Sequence, residues 1–157
     1  MQLSGKRILL LSPHTDDVEY GLGGTLRRLL DTNPEVKWIV FSNAVESLLE
    51  PDPNILIKEQ KQTLNFLGLQ EKHLEIHDFP VRKLNYHRQE ILDILIKEKK
   101  NYDPDLVFCP CSVDHHQDHQ VINAEAKRAF KHVTLLGYNL TWNQFEEKKD
   151  LICELTK

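Results

Sequence analysis

The residues of this chain that can do chemistry gather in two short segments. The first is Ser12-Pro13-His14-Thr15-Asp16-Asp17, followed closely by Gly21-Leu22-Gly23-Gly24. The second is Asp114-His115-His116-Gln117-Asp118-His119, which holds three of the eight histidines in the chain. Imidazole nitrogen and carboxylate oxygen are both good zinc ligands. His14 and Asp17 are three residues apart, so one turn can aim both at a single point. Asp16 and Asp17 are neighbours whose side chains diverge, so one can bind a metal while the other faces the water on that metal. His116 and His119 are also three apart, as are His115 and Asp118.

Plainer explanations compete with the metal reading. Asp16 and Asp17 would suit a helix N-terminus, where the dipole favours negative charge. The glycines could suggest a dinucleotide fingerprint, but their spacing is not G-x-G-x-x-G, and Glu19 with the two aspartates would repel a pyrophosphate. Close packing of a helix on a sheet accounts for them better. The histidine segment could be a solvated loop with incidental metal affinity. Cys109 and Cys111 could form a thiolate site, yet no second cysteine pair exists, and Cys109 ends an apolar run that reads as core. The two segments together carry more weight than either alone. A catalytic zinc takes three protein ligands and keeps one position open for water. Neither segment supplies three well-spaced ligands, whereas two strand ends on one sheet edge can supply two plus one.

The intervening chain predicts such strand ends. Short β-branched and apolar runs occur at Arg7–Ser12, 36–41, Leu74–Ile76, 106–109 and, more weakly, 133–137. Helical spacing separates them: Leu22, Leu26, Leu29 and Leu30; then Leu56, Leu64 and Leu67, with Gly68 as a stop; then Ile91, Leu92, Ile94 and Leu95; then 121–130. Residues 50–54 contain two prolines and read as a loop. The alternation predicts an α/β fold of right-handed βαβ units around a mostly parallel sheet. Ligands bind beyond the carboxyl ends of such strands, which selects residues 12–24, 42–46 and 109–119. Two of these three places hold the metal-type segments.

Composition narrows the function further. The 157 residues suit one domain, 1–157, and the net charge of −4, with no basic stripe, argues against nucleic acid. No apolar run approaches the roughly 20 residues that span a bilayer. The first six residues lack the features of a signal peptide. Three cysteines, Cys109, Cys111 and Cys153, without a pairing framework fit reduced thiols and a cytoplasmic setting.

The stretch from Ser12 to Gly24 resembles the first motif of the PIG-L/LmbE-like zinc-dependent N-acetyl sugar deacetylases. The stretch from Asp114 to His119 resembles their second, in which two histidines flank an x-Asp pair. The resemblance covers about residues 7–138. It implies a Rossmann-like three-layer fold and a hydrolase that removes the acetyl group of an N-acetylated amino sugar, such as an N-acetylglucosamine moiety, by attack of a metal-bound water on the amide. It implies His14, Asp17 and His119 as ligands of Zn2+, and Fe2+ would fit the same donors. It makes Asp16 the general base, and His116 the acid that protonates the leaving amine or steadies the oxyanion. Asp118 would orient or tune a histidine.

The sequence departs from the family in three places. Thr15 stands where proline is common. The family arginine near the start of the second helix is missing, and Lys58 is the residue there that could replace it, without the bidentate fork. The region after about 138 is short: residues 140–143 resemble its beginning, and 146–157 read as a terminal helix. Ser42, Asn43, Lys58 and Arg82 are the candidates for holding substrate, an amino sugar that is free or carried on a nucleotide, lipid or small conjugate. A homo-oligomer is left open. Two alternatives of other classes remain. Asp114-His115-His116 superficially matches Asp-His-His phosphohydrolases, although a two-metal site needs more bridging carboxylates than the sequence offers. A non-catalytic metal-binding domain is the other, and it would have no use for Asp16.

Overall fold

The computed structural model describes residues 7–49, 52 and 54–144. Five strands alternate with four helices: β1 (Arg7–Ser12), α1 (Asp17–Leu30), β2 (Glu35–Val40), α2 (Ile55–Phe66), β3 (Leu74–Ile76), α3 (Arg88–Asn101), β4 (Leu106–Pro110), α4 (Gln117–Ala129) and β5 (Thr134–Tyr138). The strands expected from the sequence are all present, with β2 and β5 shifted by one residue. Short 3-10 turns occur at Val45–Ser47, Glu71–His73, Leu84–His87 and Thr141–Asn143.

The sheet order is β3-β2-β1-β4-β5 and every pairing is parallel. The central strand β1 shows why the apolar runs do not alternate with polar residues. Ile8 and Leu10 enter one core with α1 residues Leu22 and Leu26, while Leu9 and Leu11 enter the other with Ile91 of α3 and Ile122 of α4. A parallel strand covered on both faces has no solvent side to fill with polar groups. Each fully buried Leu or Ile adds about 1.5–3 kcal/mol relative to exposure.

Two glycines serve stated geometric ends. Gly68 follows α2 at φ 78. Its N–H donates to the carbonyl of Asn65, and that of Leu69 to the carbonyl of Leu64, which is the Schellman closure the sequence anticipated. Leu67 therefore caps α2 without belonging to it. Gly21 lets α1 lie against β5: a Cβ there would meet Tyr138 Cδ2 at 2.5 Å. The helix expected over 146–157 lies outside the described residues. Among those described, no helix is long and apolar enough to cross a membrane.

The chain runs from β1 to β2 on one side of the sheet centre and returns to place β4 on the other. This reversal opens a crevice at the carboxyl ends of β1 and β4, where such folds bind ligands.

Candidate active site

Both metal-type segments emerge into that crevice. The turn after β1 is pinned to the turn after β2, because Phe41 and Ser42 donate backbone bonds to the carbonyls of Ser12 and Pro13. Trp38 Nε1 donates to Ser12 Oγ at 2.8 Å beneath it. The His14 N–H then donates to Asp17 Oδ2 at 2.7 Å, which folds the turn so that both side chains face the same way. Asp16 is the N-cap of α1 and exposed, while Asp17 opens the helix and is buried. The two neighbours diverge as expected, through a helical N-terminus and not an extended turn.

On the other side, β4 ends at Pro110 and the chain turns through buried Asp114. Its Oδ1 accepts from the His116 N–H at 2.8 Å. His116 caps α4, its Nδ1 accepting from the Asp118 N–H at 3.2 Å. Asp118 and His119, both buried, lie in the first turn of α4.

Three donors from the two segments meet. His14 Nδ1 lies 3.2 Å from Asp17 Oδ2, His119 Nε2 lies 3.3 Å from Asp17 Oδ1, and the two nitrogens are 3.3 Å apart. A tetrahedral ion holding nitrogen and oxygen at about 2.0–2.1 Å has ligand-to-ligand edges of about 3.3–3.4 Å. The three separations are close to such edges, with Asp17 closing the triangle through a different oxygen to each histidine. His116 adds a nitrogen within 4.8 Å of those of His14 and His119.

The far nitrogens of both histidines rest on carboxylates. His14 Nε2 is 3.0 Å from Asp118 Oδ2, and His119 Nδ1 is 2.8 Å from Asp114 Oδ2. Histidine backed by carboxylate is a recurrent support of metal ligands. Asp118 is fixed in turn by the backbone N–H groups of Arg82 and Leu84, which tie the segment after β3 to the cluster. The sequence reading placed Asp118 behind a histidine but gave Asp114 no role. The available signal was chemical: a second ligand histidine also needs an acceptor behind it.

The electrostatics follow from this crowding. Burial opposes charge on His14, yet the bonds to Asp118 and Asp17 outweigh it and raise its pKa to about 9. Asp114 and Asp17 likewise overcome burial at His119, also raised to about 9. Against the same burial, His119 and His14 hold Asp17 far below the usual carboxylate range. The Asp118 carboxyl is lowered too, by His14 and the two backbone donors. Asp16 moves the other way: the desolvation it undergoes and the Asp17 charge beside it push its pKa up. His116 is pushed down by desolvation and by the neighbouring His119 and His14. Three buried carboxylates thus surround two imidazoles, and a divalent cation in place of two protons conserves the charge.

The four substrate candidates are placed less uniformly. Ser42 is wholly buried, and its Oγ accepts from the Ala44 N–H at 3.1 Å. Asn43 is half-buried, its Oδ1 accepting from the Val45 N–H at 3.2 Å. Lys58, exposed on α2, pairs with Asp52 at 3.0 Å. Arg82 is exposed, with its backbone N–H on Asp118.

Comparison with known proteins gives this arrangement a class. Residues 9–130, which include both segments, match the family described as "PIG-L: GlcNAc-PI de-N-acetylase", and the chain belongs to that family. It is similar to the diacetylchitobiose deacetylase of Thermococcus kodakarensis, with 27% identity over 127 residues, or 73% of this chain and 45% of that protein. Among solved structures, the N,N'-diacetylchitobiose deacetylase from Pyrococcus horikoshii in complex with an inhibitor has a TM-score of 0.69 and 25% identity, covering 80% of this chain and 49% of the other. A zinc-inhibited form of teicoplanin deacetylase shares the fold with a TM-score of 0.72 at 18% identity, covering 96% of this chain and 73% of that one. The chain spans about half the length of the diacetylchitobiose deacetylases it matches.

Proposed function

We propose that this chain is a metal-dependent N-deacetylase that hydrolyses the acetamido group of an amino sugar, free or carrier-linked. The observation that carries the reading is the triangle of His14 Nδ1, Asp17 and His119 Nε2, backed by carboxylates and flanked by Asp16 and His116. The similarity to deacetylases supports it.

His14, Asp17 and His119 would hold the ion, and their nitrogen and oxygen donors suit zinc or ferrous iron. When bound, the ion would polarise the amide carbonyl and bring the pKa of a water down to about 7. The rest is the work of side chains. Asp16, ionised and with a raised pKa, takes the proton of the attacking water as the new C–O bond forms. The C–N bond then breaks as the amine nitrogen receives the proton that Asp16 took from the water, leaving acetate and a free amine. His116 is suited to the carbonyl oxygen. With Nδ1 accepting from Asp118, its neutral ring carries the hydrogen on Nε2, a donor for the charge that develops on the carbonyl oxygen. Asp118 positions His14. Arg82 is the strongest of the substrate candidates, since Ser42 Oγ, Asn43 Oδ1 and Lys58 Nζ each have a partner within the protein. The free thiols of Cys109 and Cys111 accord with a cytoplasmic setting.

An amine-release assay over a panel of N-acetylated sugars tests the reading. Activity should be present in metal-loaded protein and absent after chelation. No release from any sugar at any metal loading would overturn it.

A further inference from the structure

Two large aromatic side chains stand in water beside the reaction site. Tyr20 and Trp142 are each 66% exposed, and their rings meet edge to face, with centroids 5.6 Å apart and planes at 84°. Exposed apolar residues scattered singly need no explanation, but a contacting pair at the rim of a crevice does. We infer that Tyr20 and Trp142 form a seat that holds the pyranose ring of the substrate by its C–H face and so presents its acetamido group to the metal cluster. The inference rests on the deacetylase reading for the acetamido group and not for the seat itself.

Each ring is tied to one of the two metal-type segments. The Tyr20 N–H donates to the Asp16 carbonyl at 3.2 Å, so Tyr20 stands one helical turn behind Asp16 on the same face of α1. Helical Cα–Cβ bonds tilt toward the N-terminus, which leans the Tyr20 side chain toward the end where Asp16 lies. Trp142 belongs to the Thr141–Asn143 turn after β5. That turn is anchored to the second segment: the Asn143 carbonyl accepts from the His115 N–H at 2.9 Å, and Asn143 Nδ2 donates to Asp114 Oδ2 at 3.5 Å. The same Asp114 oxygen backs His119. Gly21 lets α1 approach Tyr138 and the Asn139 carbonyl, which brings Tyr20 to Trp142. The aromatic pair therefore joins the helix that carries Asp16 to the turn that braces His119.

The chemistry suits a sugar ring. A pyranose carries its hydroxyls around the rim and a patch of C–H bonds on its face. A flat aromatic ring covers that patch without competing for the hydroxyls, while the phenol O–H and indole N–H can meet polar groups at the edge. Two perpendicular rings make a corner, which fixes the orientation of a ligand as well as its distance. Ligand sites pair apolar and aromatic walls with a few directed polar groups, and here the directed groups are the metal donors, Asp16 and His116. An acyclic N-acetyl amine has no such face to offer. Tyr20 and Trp142 are thus positioning residues that separate cyclic from acyclic amides.

Trp142 itself reports on the seat, because the other of the two tryptophans, Trp38, is fully buried. In the full metal-loaded Asp16→Asn chain, which separates binding from turnover, N-acetylglucosamine should shield Trp142 from acrylamide quenching, and N-acetylethanolamine should not. In the enzyme with Asp16 intact, Tyr20→Ala and Trp142→Ala should each raise KM for N-acetylglucosamine about tenfold with kcat little changed. Tyr20→Phe and Trp142→Phe should recover most of that loss. Both side chains are exposed, so metal content and melting temperature should stay at their wild-type values. Acetate release without shielding of Trp142, or with KM unchanged in both alanine variants, overturns the inference. So does a KM change that comes with lost metal or a lowered melting temperature, which would make the pair structural. Quenching that depends on protein concentration in the absence of sugar would assign the pair to a contact between copies and overturn it as well. Shielding without acetate release from the wild type would sink the deacetylase reading and leave the seat intact, and neither shielding nor release would sink both.

Discussion

Asp114 accepts a hydrogen bond from Nδ1 of His119 at 2.8 Å, and that bond decides which nitrogen of His119 faces the metal cluster. Once neutral, with its remaining proton on Nδ1, the ring presents the lone pair of Nε2 toward Asp17 and His14. His14 is mounted in the opposite sense, with Nε2 on Asp118 and Nδ1 toward the cluster. Each carboxylate selects a tautomer and raises the basicity of the ligand in front of it.

Asp114→Asn tests this support. The amide retains an acceptor oxygen, so the cap on His116 can survive while the negative charge behind His119 is lost. Metal affinity should fall about 10–100-fold in competition with a chelator, with an unchanged circular dichroism spectrum. Unaltered affinity would leave Asp114 only its bond to the His116 N–H ahead of α4.

Metal uptake should release protons, because His14 and His119 are protonated up to about pH 9 in the metal-free site and must be neutral to ligate. Calorimetry in buffers of different ionisation enthalpy should count up to about two protons released at pH 7, declining toward zero above about pH 9. Apparent affinity should rise with pH over the same interval and then level off. The stability of the metal-free chain runs the other way. Both folded-state pKa values exceed the ordinary 6.5, so the stabilisation is complete below that value and is lost as pH rises through about 9. Proton release near zero at pH 7 would mean that the carboxylates do not hold the imidazoles charged.

The two histidines of α4 should separate by function. His119→Ala should lose most of the bound metal, since it removes one corner of the triangle. His116→Ala should keep the metal while kcat falls by about 10²–10⁴-fold, the range for a lost acid or oxyanion donor. Metal analysis alongside turnover distinguishes them. Metal loss in His116→Ala with retention in His119→Ala would exchange the roles.

The sheet was legible because both its faces are covered, which turned β1 and β4 into uninterrupted apolar runs. β5 was weaker for a physical reason: it is an edge strand whose Leu135 and Leu136 are only partly buried. The convergence of His14 and Asp17 with His119 could be expected from strand ends that share an edge. The support behind them could not be assigned in full. His14 and Asp118 are 104 residues apart, and nothing in the sequence says which histidine Asp118 backs. The grip of Arg82 on Asp118 comes from a backbone N–H, a donor that nearly every residue type carries. Lys58 lies on the surface of α2, where its charge pairs with Asp52.

Asp16 provides the decisive test of the reaction. It occupies the N-cap of α1 with no side-chain capping bond, and it is exposed where Asp17 is buried. Its carboxyl therefore has no structural duty that an amide would fail to perform. Partial desolvation and the Asp17 charge raise its pKa, so ionised Asp16 is a stronger base than an ordinary aspartate. The same shift makes its charge a burden to the fold at neutral pH, because a carboxyl with a raised folded-state pKa stabilises only below its ordinary range and loses that benefit as pH rises. Asp16→Asn should accordingly leave metal content unchanged and the melting temperature at pH 7 equal or slightly higher. Deacetylation should nevertheless fall by about 10²–10⁴-fold, because an amide cannot accept the proton of the attacking water. In the wild type the rate should rise with pH through the raised pKa of Asp16, and the variant should lose that acidic limb. Loss of metal would instead make Asp16 a ligand. Near-normal turnover with the limb intact would show that the proton goes elsewhere, whatever the metal and the sugar prove to be.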